Sequence, residues 1–157
     1  MAITRNPMQV FKIARDVYAK AITASGAANR WNREGQMVSY AASSRALATL
    51  EMVARRAAIM PTLPYKMMVI TMADDPSLYR EVPRSSLPLH WYRMDAYPQL
   101  QAIGAKWYEE RQSLVLKVPS AIIPQESNYI INTNHPEFAA AVQLETSENY
   151  FWDSRLL

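Results

Sequence analysis

Arg30, Tyr40 and Glu51 lie within 22 consecutive residues of this chain, the first of them in the run Arg30-Trp31-Asn32. Together they offer three distinct chemistries. A guanidinium is a planar five-donor fork suited to phosphate or carboxylate groups. A tyrosine brings a flat aromatic face with a polar hydroxyl at its tip. A carboxylate held at a fixed point stabilises developing positive charge. Glu51 also falls on the helical stripe of Leu47, Ala54 and Ala58, at i−4, i+3 and i+7. An acid on an apolar stripe is costly to bury without a partner, and Arg30, just upstream, is the expected one. The competing reading is a solvated helix Glu.

The elements that must position these residues follow from the spacing of apolar side chains. Ser43 and Ser44 are candidate N-caps of a helix from Arg45 to about Ile59, ended by Pro61 and Pro64. Thr23 to Asn29 is a small, polar loop leading into Arg30. Met37 to Ala41 alternates as a strand, and Val10 to Ile13 reads as a short strand running into a helix that reaches Ile22. Lys66 to Met72 is apolar almost without a break, as in a buried strand. Asp74 to Pro88 is rich in turn residues, and Gln99 to Glu110 reads as helix. Ser113 to Val118 alternates as a strand stopped by Pro119. Tyr129–Asn132, Val142–Glu145 and Tyr150–Trp152 are further short strands. The chain is therefore expected to be an α+β protein, a small mixed or antiparallel core of short strands with flanking helices.

Composition limits what such a chain does. Its 157 residues suit a single domain spanning 1–157, and half of them are hydrophobic. Cysteine is absent and histidine occurs only as His90 and His135, so neither a disulfide framework nor a Cys or His metal site is expected. With three glycines there is no Gly-rich phosphate loop. No apolar run approaches the ~18 residues of a membrane span, and Met1 to Lys12 lacks a signal-peptide core, so a cytoplasmic location is expected. Residues 1–66 carry ten Lys and Arg against three acids, whereas residues 67–157 carry seven against eleven. The cations are dispersed rather than clustered along one element, which favours a small phosphate-bearing ligand over nucleic acid.

Rival sites fail on the residues available. His135 before Pro136 has no neighbouring nucleophile and reads as structural, and His90-Trp91-Tyr92 has no metal partner at ligand spacing. Met67-Met68 and Trp107-Tyr108 read as packing.

Two blocks of this sequence carry a resemblance. Arg30-Trp31-Asn32, Gly35, Tyr40-Ala41 and Leu50-Glu51 resemble the first block of the RES domain family, and Val118-Pro119-Ser120, Asn128-Tyr129-Ile130-Ile131-Asn132 and His135-Pro136 resemble its second. The Arg, Glu and Ser that name the family fall on Arg30, Glu51 and Ser120. Two positions depart from the family pattern. Ala28-Asn29 stands where the family has Gly-Gly, and Lys12 matches an early Arg, keeping the charge without the fork.

The resemblance implies a fold similar to ADP-ribosyltransferase toxins and a bacterial toxin of a type II pair. Its partner would be an Xre-like helix-turn-helix antitoxin. It also implies NAD as substrate and no metal, with inorganic phosphate or a protein as a further reactant. Arg30, Tyr40, Glu51 and Ser120 are then the candidate catalytic residues, with Lys12, Arg30, Tyr40 and Asn128 against NAD. In this reading Glu51 stabilises an oxocarbenium-like centre, Arg30 holds the pyrophosphate and Tyr40 stacks on nicotinamide. Ser120 meets the ligand or Glu51. Destruction of NAD is expected, with ADP-ribosylation of a protein as the alternative and a non-catalytic anion-binding module as the second.

Overall fold

The computed structural model describes residues 7–157. In chain order, β1 (Met8–Arg15) is followed by β2 (Val38–Ala42), α1 (Arg45–Val53), β3 (Tyr65–Met72) and β4 (Tyr79–Glu81). Then come α2 (Tyr97–Glu110), β5 (Val115–Pro119), β6 (Ser127–Asn132), the one-turn α3 (Phe138–Ala141) and β7 (Val142–Tyr150). The strands form one seven-stranded sheet in the order β4-β5-β6-β2-β1-β3-β7, antiparallel except for the parallel β4–β5 edge. This is the α+β, mixed-sheet architecture expected from the sequence.

Side chains paired across antiparallel strands share a face, and this register sorts the core. Tyr40 opposes Ile130, Ala42 opposes Asn128, and Val118 and Leu116 oppose the same two β6 residues. All of these therefore lie on one face. Two apolar clusters cover that face. Leu47 and Ala48 of α1 pack with Phe11, Ile13, Ala42 and Met67, while Leu100 and Trp107 of α2 pack with Leu116, Val118, Ile130 and Trp31. Polar Asn128 and half-buried Tyr40 fall between the clusters. The opposite face buries Val10, Met68, Ile70, Val115 and Ile131. Met67 and Met68 thus sit in the core, one on each face.

The sheet parts in the middle. β1 is registered with β3 along its whole length, but it meets β2 only where Phe11 faces Ala42. Two half-sheets diverge from that point, and unpaired backbone groups near it must find other partners.

Several sequence expectations are corrected. No helix follows β1. The strand continues to Arg15, and only a single 3₁₀ turn, Asp16–Tyr18, precedes the loop. Helix α1 starts where Ser44 caps it, its hydroxyl accepting from the Leu47 N–H, but it ends at Val53 rather than near Ile59. Ala54 and Ala58 are consequently exposed, so the apolar stripe contains Leu47 alone of the three residues named. Val142–Glu145 and Tyr150–Trp152 are not separate strands, because β7 runs unbroken from Val142 to Tyr150 along β3. The turn-rich segment holds the short strand β4, which periodicity cannot register over three residues. Among the described residues, no helix is long and apolar enough to cross a membrane, and no group of three or more His, Asp or Glu residues is placed to hold a metal ion.

Candidate active site

Glu51 is the centre of the candidate site, and its hydrogen-bond partners come from much later in the chain. Ser120, just after β5, donates its hydroxyl to Glu51 Oε2 at 2.8 Å. Asn128, on β6, donates its side-chain amide to the same oxygen at 2.6 Å. Val118 opposes Asn128 across the β5–β6 ladder, which places the two donors side by side. The expected partner, Arg30, does not bond Glu51. Two neutral donors satisfy one carboxylate oxygen, while Oε1 accepts nothing from the described residues and keeps its lone pairs available.

Ser120 has no remaining hydrogen-bonding capacity. It is fully buried, and its oxygen accepts the backbone N–H groups of Ile122 and Ile123, both at 3.1 Å. One donated and two accepted bonds use everything a hydroxyl offers. Ser120 therefore orients Glu51. Ser120→Ala is expected to cost about 1–3 kcal/mol of stability, because two part-buried N–H groups lose their acceptor and the Glu51 carboxylate loses a donor. Urea denaturation checks this directly. Ser120→Thr, which keeps the oxygen, should recover most of the loss.

Arg30 sits at the tip of a small hairpin closed by reciprocal backbone bonds between Asn29 and Asn32. Its guanidinium donates to the Tyr92 carbonyl at 3.1 Å and lies 4.8 Å above the Tyr97 ring. No carboxylate pairs with it among the described residues. A carbonyl and an aromatic face restrict the guanidinium without neutralising it, which leaves its charge for an anion.

Tyr40 fastens this hairpin. Its hydroxyl donates to Asn32 Oδ1 at 2.6 Å and accepts the Trp31 N–H at 3.0 Å. Burial pushes its ionisation well above the ordinary tyrosine range; the Trp31 N–H and the charges of Arg55 and Arg30 oppose this, while Tyr97 adds to it. The hydroxyl stays protonated, as its bond to Asn32 requires. Asn32 is itself buried and also donates to the Ala27 and Arg33 carbonyls. The first-block residues thus hold one another, with Tyr40 as the link between β2 and the hairpin.

Lys12 stands where the half-sheets part. Its ammonium donates to the Tyr40 carbonyl at 3.1 Å, supplying the bond that the β1–β2 ladder does not make there. Burial, and secondarily the positive charge of Arg55, lower its pKa to about 8.

Helix α2 clamps the hairpin from the other side, and sequence reasoning missed this. Gln101 donates to the Asn29 carbonyl at 2.8 Å. Gly104 lies against the Trp31 backbone, where a Cβ would overlap the carbonyl oxygen and come within 2.7 Å of its carbon. A glycine inside a helical pattern is the one available signal of such a close approach. Tyr92 and Tyr97 were also missed as supports of Arg30, since an exposed turn and a helix start carry no periodicity that points to a cation. His135 is structural, as expected. It accepts the Glu137 N–H at Nδ1, so Nε2 carries the proton donated to the Arg111 carbonyl at 3.0 Å.

The family model described as RES domain matches residues 9–153. The chain is 32% identical over 148 residues to the "Prs ADP-ribosylating toxin" of Sphingobium sp. (strain YBL2), covering 92% of this chain and 91% of that protein. It is 28% identical over 153 residues to a "Toxin Res" of Yersinia enterocolitica, covering 95% and 99% respectively. Among solved structures it is similar to the crystal structure of the M. tuberculosis MbcT-MbcA toxin-antitoxin complex. That match has a TM-score of 0.75 at 18% identity over 93% of this chain and 85% of the other, a likeness of fold.

Proposed function

This chain belongs to the RES domain family, and on that premise we propose that it is the toxin of a toxin–antitoxin pair and acts by cleaving the nicotinamide–ribose bond of NAD. The carrying observation is the Glu51 carboxylate. Ser120 and Asn128 hold it by one oxygen and leave the other without a bond among the described residues.

The chemistry follows from that arrangement. When the bond between ribose C1′ and the nicotinamide nitrogen breaks, its electron pair leaves with nicotinamide and cancels the ring's positive charge. Positive charge then develops on C1′ and the ring oxygen. Glu51 Oε1 stabilises that charge or holds a ribose hydroxyl, and it does so without reorganisation because its other oxygen is already fixed. Arg30 holds the pyrophosphate through charge-assisted bonds. Tyr40 keeps the Arg30 hairpin in place and offers its ring to the nicotinamide. Water or phosphate then attacks C1′, giving ADP-ribose or its phosphate ester, and water's proton leaves to solvent.

A second reading is transfer of ADP-ribose to a protein. It is favoured by the name of the Sphingobium relative, an ADP-ribosylating toxin. The cognate partner in either case is an antitoxin, of the Xre-like helix-turn-helix type. Chromatography of NAD incubated with the purified chain decides between these readings. Free nicotinamide with ADP-ribose, with its phosphate ester, or with a modified protein names the reaction. No nicotinamide release from folded chain, with phosphate and protein acceptors supplied, would leave a non-catalytic anion-binding module.

A further inference from the structure

A cavity of about 350 Å³ opens between α2 and the β4–β5 edge of the sheet, and none of its lining residues belongs to the Glu51 site. The shortness of β4 creates it. A 3-residue edge strand cannot follow a 14-residue helix, so the second half of α2 overhangs the sheet edge and leaves a gap. Arg80 opposes Leu116 across the parallel β4–β5 pair, so both point to the face that α2 covers. Val82 from the segment after β4, and Ile103, Lys106 and Trp107 from α2, complete most of the wall.

That wall is fixed before any ligand arrives. The Val82 N–H continues the β4–β5 ladder by donating to the Lys117 carbonyl at 2.9 Å. In the turn Arg84–Ser86, Ser86 donates its N–H and its hydroxyl to the Pro83 carbonyl, at 3.0 and 2.7 Å. Trp107 donates its Nε1–H to the Ser113 hydroxyl at 3.0 Å, which locks the indole and leaves its carbon surface for the cavity. Small-molecule sites run to ~300–1,000 Å³, and an apolar cavity of ~150 Å³ already holds benzene.

The charges left open on the rim are positive. Arg80 uses Nη1 on Glu110 at 3.0 Å and keeps the other donors of its fork. Lys106 is exposed, and neither Glu109 nor Glu110 lies within ion-pair distance of it. Glu81 shares the opposite face with Lys117, its ion-pair partner at 4.0 Å.

We propose that this cavity is a second ligand site, for a small molecule that joins an aromatic ring to a carboxylate. The ring fills the space between Trp107, Ile103 and Leu116, where ring–ring contact adds to burial. The carboxylate meets Lys106 and the unused donors of Arg80. The site rests on neither the Glu51 chemistry nor the NAD reading.

The test is an NMR titration of the isotope-labelled full chain with indole-3-acetate, indole-3-acetamide and tryptamine, which carry the same ring with a negative, a neutral and a positive group. Indole-3-acetate should saturate with a Kd of about 1 mM or tighter. It should shift the Trp107 indole N–H and the methyl signals of Val82, Ile103 and Leu116. The amide should bind more weakly, and the amine more weakly still. Lys106→Gln, a surface change, should weaken the acid about two- to fivefold and leave the amide as it is. Ile103→Phe, which fills the cavity, should abolish binding of both.

The absence of saturable shifts at these four residues at millimolar concentration would overturn the proposal. So would an amide that binds as tightly as the acid, or a Lys106→Gln variant that binds the acid as wild type does. Shifts centred instead on Glu51 and Arg30 would put the acid in the other site and overturn it as well.

Discussion

Glu51→Gln is expected to lower nicotinamide release about 10²–10³-fold, the usual cost of removing one preorganised electrostatic group from a reacting centre. The substitution is close to isosteric. The amide oxygen can still accept from Ser120 and Asn128, so the fold and substrate affinity should persist. What disappears is the negative charge on the free oxygen, which matters only as C1′ becomes cationic. The expected signature is therefore a fall in kcat with KM nearly unchanged. Steady-state nicotinamide release, with melting temperature measured alongside, makes the comparison. A Gln variant that turns over NAD within a few-fold of wild type would remove Glu51 from the chemistry. A loss in KM alone would make it a binding group.

Gly104→Ala should have the second largest effect, although Gly104 lies on no strand or loop of the site. In most exposed helix positions Ala in place of Gly is stabilising, because Gly costs about 0.5–1 kcal/mol there. Here the new methyl would overlap the Trp31 carbonyl. That carbonyl is backbone, and its hairpin is held by Tyr40 and Gln101. The oxygen cannot swing aside as a side chain would. Either α2 backs away from the sheet or the Arg30 hairpin shifts. Overpacking of this kind costs about 1–3 kcal/mol, and each kcal/mol lowers Tm by roughly 2–4 °C in a domain of this size. Thermal melting reads the first consequence. The second is a raised KM for NAD in the protein that remains folded, because Arg30 is displaced. If Gly104→Ala melts at or above the wild-type temperature, the clamp of α2 on the hairpin is not as tight as the geometry requires.

These two predictions differ in how far the sequence anticipates them. Glu51, Arg30, Tyr40, Ser120 and Asn128 are all legible from the order and spacing of the two family blocks. Their types are suited to a site for an anionic substrate. The α+β class is likewise legible, because Lys66 to Met72 is too apolar for an exposed strand and α2 has clear helical spacing. Ser44 announces the start of α1 through capping chemistry that involves only the next three residues.

What the sequence could not determine is which of these residues meet. Periodicity places Glu51 on a stripe with Leu47, Ala54 and Ala58, and the partner expected for it is Arg30, upstream in the chain. The end of α1 at Val53 and the β5–β6 register decided otherwise, bringing Ser120 and Asn128 to it from 69 and 77 residues away. An opposite charge in the same sequence block is the natural guess, but a carboxylate is satisfied by whichever donors the packed backbone presents. The same reason explains Gly104, whose role depends on an atom of Trp31 that no local pattern encodes. Residue chemistry is local and can be read along the chain. Proximity arises from strand register, helix ends and the parting of the sheet between β1 and β2, and these are settled only when the whole core packs.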